Sequence, residues 1–429
     1  MTPAARIAAA IELLAAIEGA PSRPADAVAS DFFRARRFIG SGDRRAVSAR
    51  IWQVLRERRR LDWWLARIRA ASTARLLVAA SLLLEGWTAD GVAQAFSGGQ
   101  FAPDPLDAAE RAVARALAGR TLDHPEMPEA VHLEVPDFLV SDLRVRFGDA
   151  LVPELAALLA PAPLDLRTNL LKADRQTARA ALAAEGLAAE STPLSPWGLR
   201  IATRAPVTAA EAFRTGLVEI QDEGSQLVSL LVDARPGQRV CDFCAGAAGK
   251  TLALAAMMDN RGTLVACDVN ARRLEASVRR LRRAGAHNVE RHLLLPGDKW
   301  AKRHARGFDR VLVDAPCSGS GTWRRNPDAR LRLDETDVAE LVVRQAAILD
   351  RAAPLVRSGG RLVYATCSLL AQENEDQVAA FLDRNPGFSS LPPRKVWALD
   401  LPGEGEHLRL SPLRHGTDGF FAAVLERRA

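Results

Sequence analysis

The spacing of apolar positions changes twice along this chain and divides it into three parts. From the N-terminus to about residue 145, apolar residues recur at intervals of three and four: Ile7, Ile11, Leu14 and Ile17, then Val47, Ile51, Val54 and Leu55, then Trp64, Leu65 and Ile68. That spacing lines one face of an α-helix and predicts an all-helical domain over 1–145. Pro and Gly clusters near 19–24, 97–105 and 119–128 separate its helices. From 150 to 235 the pattern is mixed. A strand is expected over Leu164–Leu170, a helix over Arg175–Glu185 closed by Gly186, and a strand over Leu199–Ile201. This suits a small α+β domain of RRM-like architecture, without the aromatic signature on which a true RRM stacks bases. Residues 236–429 alternate strand and helix. Strands are expected over Gln238–Phe243, Thr263–Cys267, Arg310–Val313 and Arg361–Ala365, helices over Lys250–Met258, Arg272–Gly285 and Val338–Leu355, and a late antiparallel strand over Phe420–Leu425. Such alternation predicts a doubly wound, Rossmann-like α/β domain.

Bulk properties narrow the class. A chain of 429 residues is too long for one core, in keeping with several domains. The longest apolar run, Leu76–Leu84, falls well short of a membrane span and reads as a buried helix. Glu12 and Glu18 interrupt the Ala-rich start, which favours an amphipathic helix over a signal peptide. A cytoplasmic, monomeric protein with no membrane partner is the expectation. Five cysteines do not suggest a disulfide framework. Cys241-x-x-Cys244 mimics half of a zinc site, but no second pair completes it, so no metal is expected.

The net charge of +6 admits an acidic partner. Between Arg34 and Arg75, thirteen arginines face only Asp43, Glu57 and Asp62, with Phe32, Phe33, Phe38, Trp52, Trp63 and Trp64 interleaved. Charge alone divides evenly between a solvated helix face and a surface that tracks RNA phosphates.

Two stretches carry chemistry. The first strand of the third part runs into Asp242-Phe-Cys-Ala-Gly-Ala-Ala-Gly-Lys-Thr251, and Asp268 ends the next strand. Glycines between a strand and a helix let a ligand approach the helix N-terminus, and a carboxylate at the second strand end meets ribose hydroxyls. NAD, FAD and S-adenosylmethionine all suit this arrangement. A P-loop would need glycine where Cys244 stands. Lys250 is one of only five lysines in a chain that otherwise writes arginine. The second stretch is Phe308–Gly321, where a buried strand ends in Asp314-Ala-Pro-Cys317-Ser-Gly-Ser-Gly. About fifty residues later another strand ends in Thr366-Cys367-Ser368. Ligands bind at the carboxyl ends of such strands, so both thiols are expected to face one pocket.

Taken together, Cys244–Thr251, Asp314–Gly321, Thr366-Cys-Ser with Glu373-Asn-Glu375, Glu219–Gln226 and Asp418-Gly-Phe-Phe421 resemble the NOL1/NOP2/Sun family of RNA cytosine-C5 methyltransferases. Arg37–Arg45 followed by Val54-Leu-Arg56 resembles the NusB family of helical RNA-binding modules. The combination is similar to the bacterial Fmu/Sun-type branch, which acts on 16S ribosomal RNA. The resemblance implies S-adenosylmethionine as cofactor, held by Cys244, Ala245, Gly246, Gly249 and Lys250 in the loop and by Asp268, Asp298 and Asp314. It implies Cys367 as the nucleophile that adds to cytosine C6, Cys317 in the release step, Asp314 on the base edge, and Lys250 polarising the base or a thiol. DNA cytosine methyltransferases attack from a Pro-Cys motif, which would favour Cys317 instead. Arg37, Arg44, Arg45, Arg324, Arg325 and Arg330 are candidates for RNA phosphates. A transfer RNA substrate and a non-catalytic RNA-binding assembly factor are the competing readings. One departure stands out: where the family usually writes a second glycine, often with proline, this chain has Ala247-Ala248.

Overall fold

The computed structural model describes residues 1–202, 205–397 and 405–428. They form two compact units, one of Met1–Leu159 with Arg325–Asp334, the other of Ala160–Arg324 with Glu335–Ala429.

The first unit is helical, as the three-and-four spacing predicts, but its helices continue past 145 to Leu159. Thr2 caps the first helix, Pro3–Glu18, through its side chain and buries Ile7, Leu14 and Ile17. The apolar residues of Ser41–Arg56 and Arg58–Arg67 enter the same core. Leu76–Leu84 is the buried middle of this unit; among the described residues no helix is long and apolar enough to cross a membrane.

The unit also takes in Arg325–Asp334, which the sequence reading left with the third part. Asp328 accepts from the backbone N–H of Ala25, the first residue of a helix that has no cap of its own. Arg330 is 1% exposed and donates to the carbonyls of Leu55 and Arg56 and to Glu134. Glu134, fully buried, also accepts the N–H groups of Arg59 and Arg60 at the start of a helix. A carboxylate there meets the positive end of the helix dipole as well as the guanidinium.

The second unit holds two sheets. The small one has four antiparallel strands, β1 (Leu164–Thr168), β2 (Glu190–Ser191), β3 (Gly198–Ile201) and β4 (Val218–Ile220), in the order β2-β3-β1-β4. β2 and β4 are too short to show a period in sequence. The large sheet comprises β5 (Arg239–Asp242), β6 (Thr263–Asp268), β7 (Val289–Leu293), β8 (Phe308–Asp314), β9 (Val356–Thr366), β10 (Phe388–Leu391), β11 (Leu408–Leu410) and β12 (Phe420–Arg427). Its order is β10-β12-β9-β8-β5-β6-β7, with β11 on β12. β5 to β9 are parallel, and β12 runs antiparallel to β9, as the sequence predicts. Central strands such as β8 are buried on both faces and read as apolar runs. The edge strand β7, Val-Glu-Arg-His-Leu, is largely exposed and lacks that signal.

The crossover helix Ala271–Ala284 shows how local sequence sets the frame. Asn270 caps it by accepting from Arg273 N–H, Leu274, Ser277, Leu281 and Ala284 form its buried stripe, and Gly285 ends it at φ 74°. The strand order reverses between β5 and β8, so the carboxyl ends of β5, β6, β8 and β9 open on the crevice where such sheets take ligands.

Candidate active site

Every residue proposed for chemistry lies at that strand-end crevice in the second unit. β5 ends at Asp242, and the loop 243–248 leads into the helix Gly249–Met257. Phe243 N–H donates to Leu312 O and Ala245 N–H to Cys267 O, which ties the loop to β8 and β6. Gly246 sits at φ 54°, and a Cβ built there meets nothing within 4 Å, so the loop borders open space. Its N–H donates to Asp268 Oδ2 at 2.8 Å, while Asp268 Oδ1 takes Asn270 N–H at 2.7 Å. A carboxylate has about four acceptor sites, so lone pairs remain for ribose hydroxyls. Ala248 adopts φ 66°, ψ 28°. The loop therefore takes the left-handed shape that glycine would take freely, at a cost of about 1–2 kcal/mol for an alanine. The departure from the family motif changes strain rather than course.

Asp242 is 1% exposed, receives the Thr251 hydroxyl at 2.7 Å on Oδ2, and leaves Oδ1 without a partner. Burial pushes its carboxyl up to about 7, against the Thr251 hydrogen bond and with help from the Asp314 charge. An ordinary carboxyl titrates near 4. Between roughly pH 4 and 7 the folded chain thus holds a proton that the unfolded chain has released, and stability falls as pH rises through that window, by at most about 4 kcal/mol. Asp242→Asn removes this slope. Its urea midpoint relative to the parent is expected to increase from pH 5 to pH 8.

Lys250 Nζ lies 2.6 Å from Asp314 Oδ2. Burial opposes the ammonium, but the charge of Asp314 and its hydrogen bond outweigh that and hold the lysine above its ordinary value. Lys250 Nζ also lies 5.5 Å from the centre of the Phe420 ring. The pair joins the start of the helix after the glycine loop to the end of β8, so the two motifs found in sequence lie side by side.

The thiols meet as expected. Cys317 Sγ, on the loop after β8, and Cys367 Sγ, just past β9, are 3.4 Å apart, and both residues are half-buried. β8 and β9 are parallel neighbours, with Asp314 opposite Ala365. The Cys317 thiol is pushed up, first by its hydrogen bond with Cys367, then by burial and by the Cys367 and Glu373 charges. Cys244 is likewise pushed up, by burial and then by the carboxylates of Asp242, Asp314 and Asp268. Cys241 pairs with Cys267 at 4.0 Å inside the sheet core rather than with Cys244. Among the described residues no group of three or more His, Cys, Asp or Glu is placed to hold a metal.

Other candidates are spread more widely. Asp298 lies beyond β7, its oxygens taken by His292 Nε2 at 2.6 Å and Trp300 N–H at 2.7 Å; the His292 hydrogen bond keeps its carboxyl below the usual range. Arg324 is buried and paired with Asp418 and Asp222, and Arg330 is buried against Glu134 in the helical unit. Neither presents its guanidinium to a phosphate; both are structural ion pairs. Arg325 is half-buried and gives its carbonyl to Trp52 Nε1. Arg37 and Arg45 are exposed, while Arg44 is half-buried and donates to Ile39 O. Much of the Arg34–Arg75 charge is met by acids from elsewhere in the helical unit: Glu18 for Arg58, Glu85 for Arg50, Asp137 for Arg59, Glu126 for Arg67 and Glu110 for Arg75. The local charge count overstates the open basic surface. On the helix 271–284, Arg280 and Arg283 pair with Glu219, whereas Arg279 and Arg282 are exposed.

Sequence reasoning missed the polar cluster behind the thiols, built from Glu373, Asn374, Ser318, Ser368 and Gln345. The Glu373-Asn-Glu375 motif was the available signal, but nothing in one dimension says that Glu373 turns inward. It also missed Arg167 on β1, fully buried, which donates to Gln221 and to Gly249 O at 3.0 Å beneath the cofactor loop. Burial lowers its guanidinium to about 10.

Known proteins share this sequence pattern and fold. A family model described as 16S rRNA methyltransferase RsmB/F matches residues 229–426, and the ferredoxin-like domain of RsmF/B-like methyltransferases matches 135–208. The chain is 31% identical over 314 residues to a probable ribosomal RNA small subunit methyltransferase B of Bacillus subtilis, covering 72% of this chain and 69% of the relative. The crystal structure of PH0851 superposes with a TM-score of 0.80 at 26% identity and covers 100% of this chain and 99% of its own. A methyltransferase homologue from Pyrococcus horikoshii has a TM-score of 0.61 at 29% identity, over 71% of this chain and all of its own. With a Rossmann-like sheet, a ferredoxin-like domain and the paired thiol loops in place, the chain belongs to the RsmB/F family and is an S-adenosylmethionine-dependent RNA methyltransferase.

Proposed function

We propose that this enzyme methylates C5 of a cytosine in 16S ribosomal RNA through a covalent bond between Cys367 and C6 of the base. The observation that carries the reading is the approach of two thiols at adjacent strand ends, beside the Lys250–Asp314 pair. C5 of cytosine is a poor nucleophile, and thiolate addition at C6 converts the ring to an enamine that can attack an electrophile. S-adenosylmethionine, when bound, supplies that electrophile as a methyl group on a sulfonium. Gly246, Gly249 and Asp268 would hold it, together with Cys244, Ala245 and Asp298. Asp314 accepts from the exocyclic amine of the base, and Lys250 offsets the charge that builds in the ring as sulfur adds.

Release requires removal of the C5 proton and departure of the Cys367 thiolate. Cys317 is suited to this step by position, its Sγ lying 3.4 Å from the attacking sulfur at the neighbouring strand end. The target cytosine must be unpaired or flipped out. The helical unit serves as a NusB-like RNA-binding module, with Arg37, Arg44 and Arg45 on its surface, in a monomeric cytoplasmic protein.

The test is incubation with methyl-labelled S-adenosylmethionine and bulk RNA from a strain lacking the gene, followed by mapping of 5-methylcytosine. Label is expected at a cytosine of 16S RNA. Label confined to transfer RNA would replace the substrate, and label at another atom would replace the chemistry. If no RNA fraction takes label, the proposal is wrong.

A further inference from the structure

Behind the thiols lies a buried carboxylate that the mechanism above does not use. Glu373 is fully buried, and among the described residues no cation pairs with it. Four neutral donors surround it instead. Oε1 accepts from Ser318 N–H at 2.8 Å and from Gln345 Nε2 at 2.9 Å; Oε2 accepts from the hydroxyls of Ser318 and Ser368. Four donors match the acceptor capacity of one carboxylate. Burying a charge without a counter-ion is costly, and only such a complete shell makes it tolerable.

Three of the four donors come from the thiol loops, where Ser318 follows Cys317 and Ser368 follows Cys367; the fourth, Gln345, comes from the helix Glu335–Ala352. Gln345 extends the clamp, since its Nε2 also reaches Pro316 O at 2.9 Å. Glu373 is itself fixed by its own carbonyl, which accepts from the Tyr364 hydroxyl at 2.6 Å. The two loops do not depend on it equally. The residues that flank Cys367 have a further anchor: Asn374 Nδ2 donates to Ser368 O at 2.9 Å, and the Thr366 hydroxyl donates to Asn374. The residues that flank Cys317 are held by Glu373, on Ser318 twice, and by Gln345 on Pro316, with the Ser318 hydroxyl also 3.2 Å from those of Ser320 and Ser368; farther along this loop Gly321 N–H donates to Cys367 O at 2.9 Å and the Ser320 hydroxyl accepts from Leu369 N–H at 2.8 Å.

From this asymmetry we infer that Glu373 is a positioning residue that holds the Cys317 loop against the Cys367 loop and so governs release of the methylated RNA rather than attack. The inference rests on the proposed division of labour between the thiols. Loss of the carboxylate frees Cys317 while Asn374 keeps Cys367 in place. The Cys367–C6 bond then forms and the methyl group is transferred, but the C5 proton leaves slowly and the adduct persists.

The experiment compares Glu373→Ala, Glu373→Gln, Ser318→Ala and Cys317→Ala in the full chain. It measures the first-turnover burst of RNA methylation, the steady-state rate and the SDS-stable protein–RNA adduct. Glu373→Ala is expected to keep the burst within about threefold, to lose at least about tenfold in the steady state, and to accumulate adduct, since small displacements of a reacting group cost rates of this order. Glu373→Gln retains one oxygen for Ser318 N–H and Gln345, and is expected to recover most of the turnover. Ser318→Ala removes one of the two Ser318 bonds to Glu373, along with the hydroxyl's contacts to Ser320 and Ser368, and gives a milder rise in adduct, which keeps the inference testable should Glu373→Ala fail to fold. An equal loss of burst and turnover without adduct in Glu373→Ala, or parental adduct levels in Ser318→Ala, would overturn it. If Cys317→Ala itself traps no adduct, the thiol assignment falls. If Cys317→Ala traps adduct and the Glu373 and Ser318 variants do not, only the role of Glu373 falls.

Discussion

Cys367→Ala is expected to yield neither methylated RNA nor a covalent RNA adduct, with activity down by more than about 10⁴-fold, the scale on which loss of a covalent nucleophile is felt. Cys317→Ala is expected to give the opposite signature: an adduct that survives SDS while turnover stops after one methyl transfer. The two thiols are almost equivalent by position, 3.4 Å apart at adjacent strand ends. The contrast between the variants therefore separates their roles more sharply than distance can. The reverse pattern would assign attack to Cys317, as the Pro-Cys motif of DNA methyltransferases would have it.

The second large effect concerns stability. Arg330→Ala takes one of two guanidinium partners from the buried Glu134, leaving Arg60 Nε at 3.2 Å, so the expected cost is about 3 kcal/mol, the low end for breaking a buried ion pair from one side. Urea denaturation of the helical unit, followed by hydrogen exchange, is expected to show a loss of that size. The double variant Arg330→Met with Glu134→Gln is expected to recover much of it, because removing both charges removes the desolvation penalty. A phosphate-binding arginine would behave differently. Its variant would keep the parental stability and lose RNA affinity, with a shallower salt dependence.

Arg330 and Arg37 mark the limit of what sequence could reveal. Both are arginines near motif-bearing segments, yet one is sealed against Glu134, 196 positions away in sequence, and the other is open to solvent. Charge is written in the sequence, but the partner that cancels it is set by packing. Strands β5, β6, β8 and β9 were legible because burial on both faces demands continuous apolar residues, and β7 was not because its exposed edge tolerates Glu, Arg and His. The thiol pair was legible because strand-end positions converge in any doubly wound sheet. Glu373 was visible only as a letter in a motif, since the direction of a side chain after an irregular turn, with Asn374 at φ −118°, ψ −95°, has no period to betray it.

The path of the chain through Arg325–Asp334 has a consequence for inheritance. The polypeptide passes from one unit to the other after Leu159, again after Arg324, and back after Asp334. No single cut in the gene separates a helical module from a methyltransferase module. A recombination event that exchanged only the first 159 residues would carry away the surface on which Arg330 and Asp328 make their bonds and leave those two side chains behind. The ten-residue excursion begins eight positions after Cys317, so an exchange that keeps both units intact must carry this segment together with the first 159 residues.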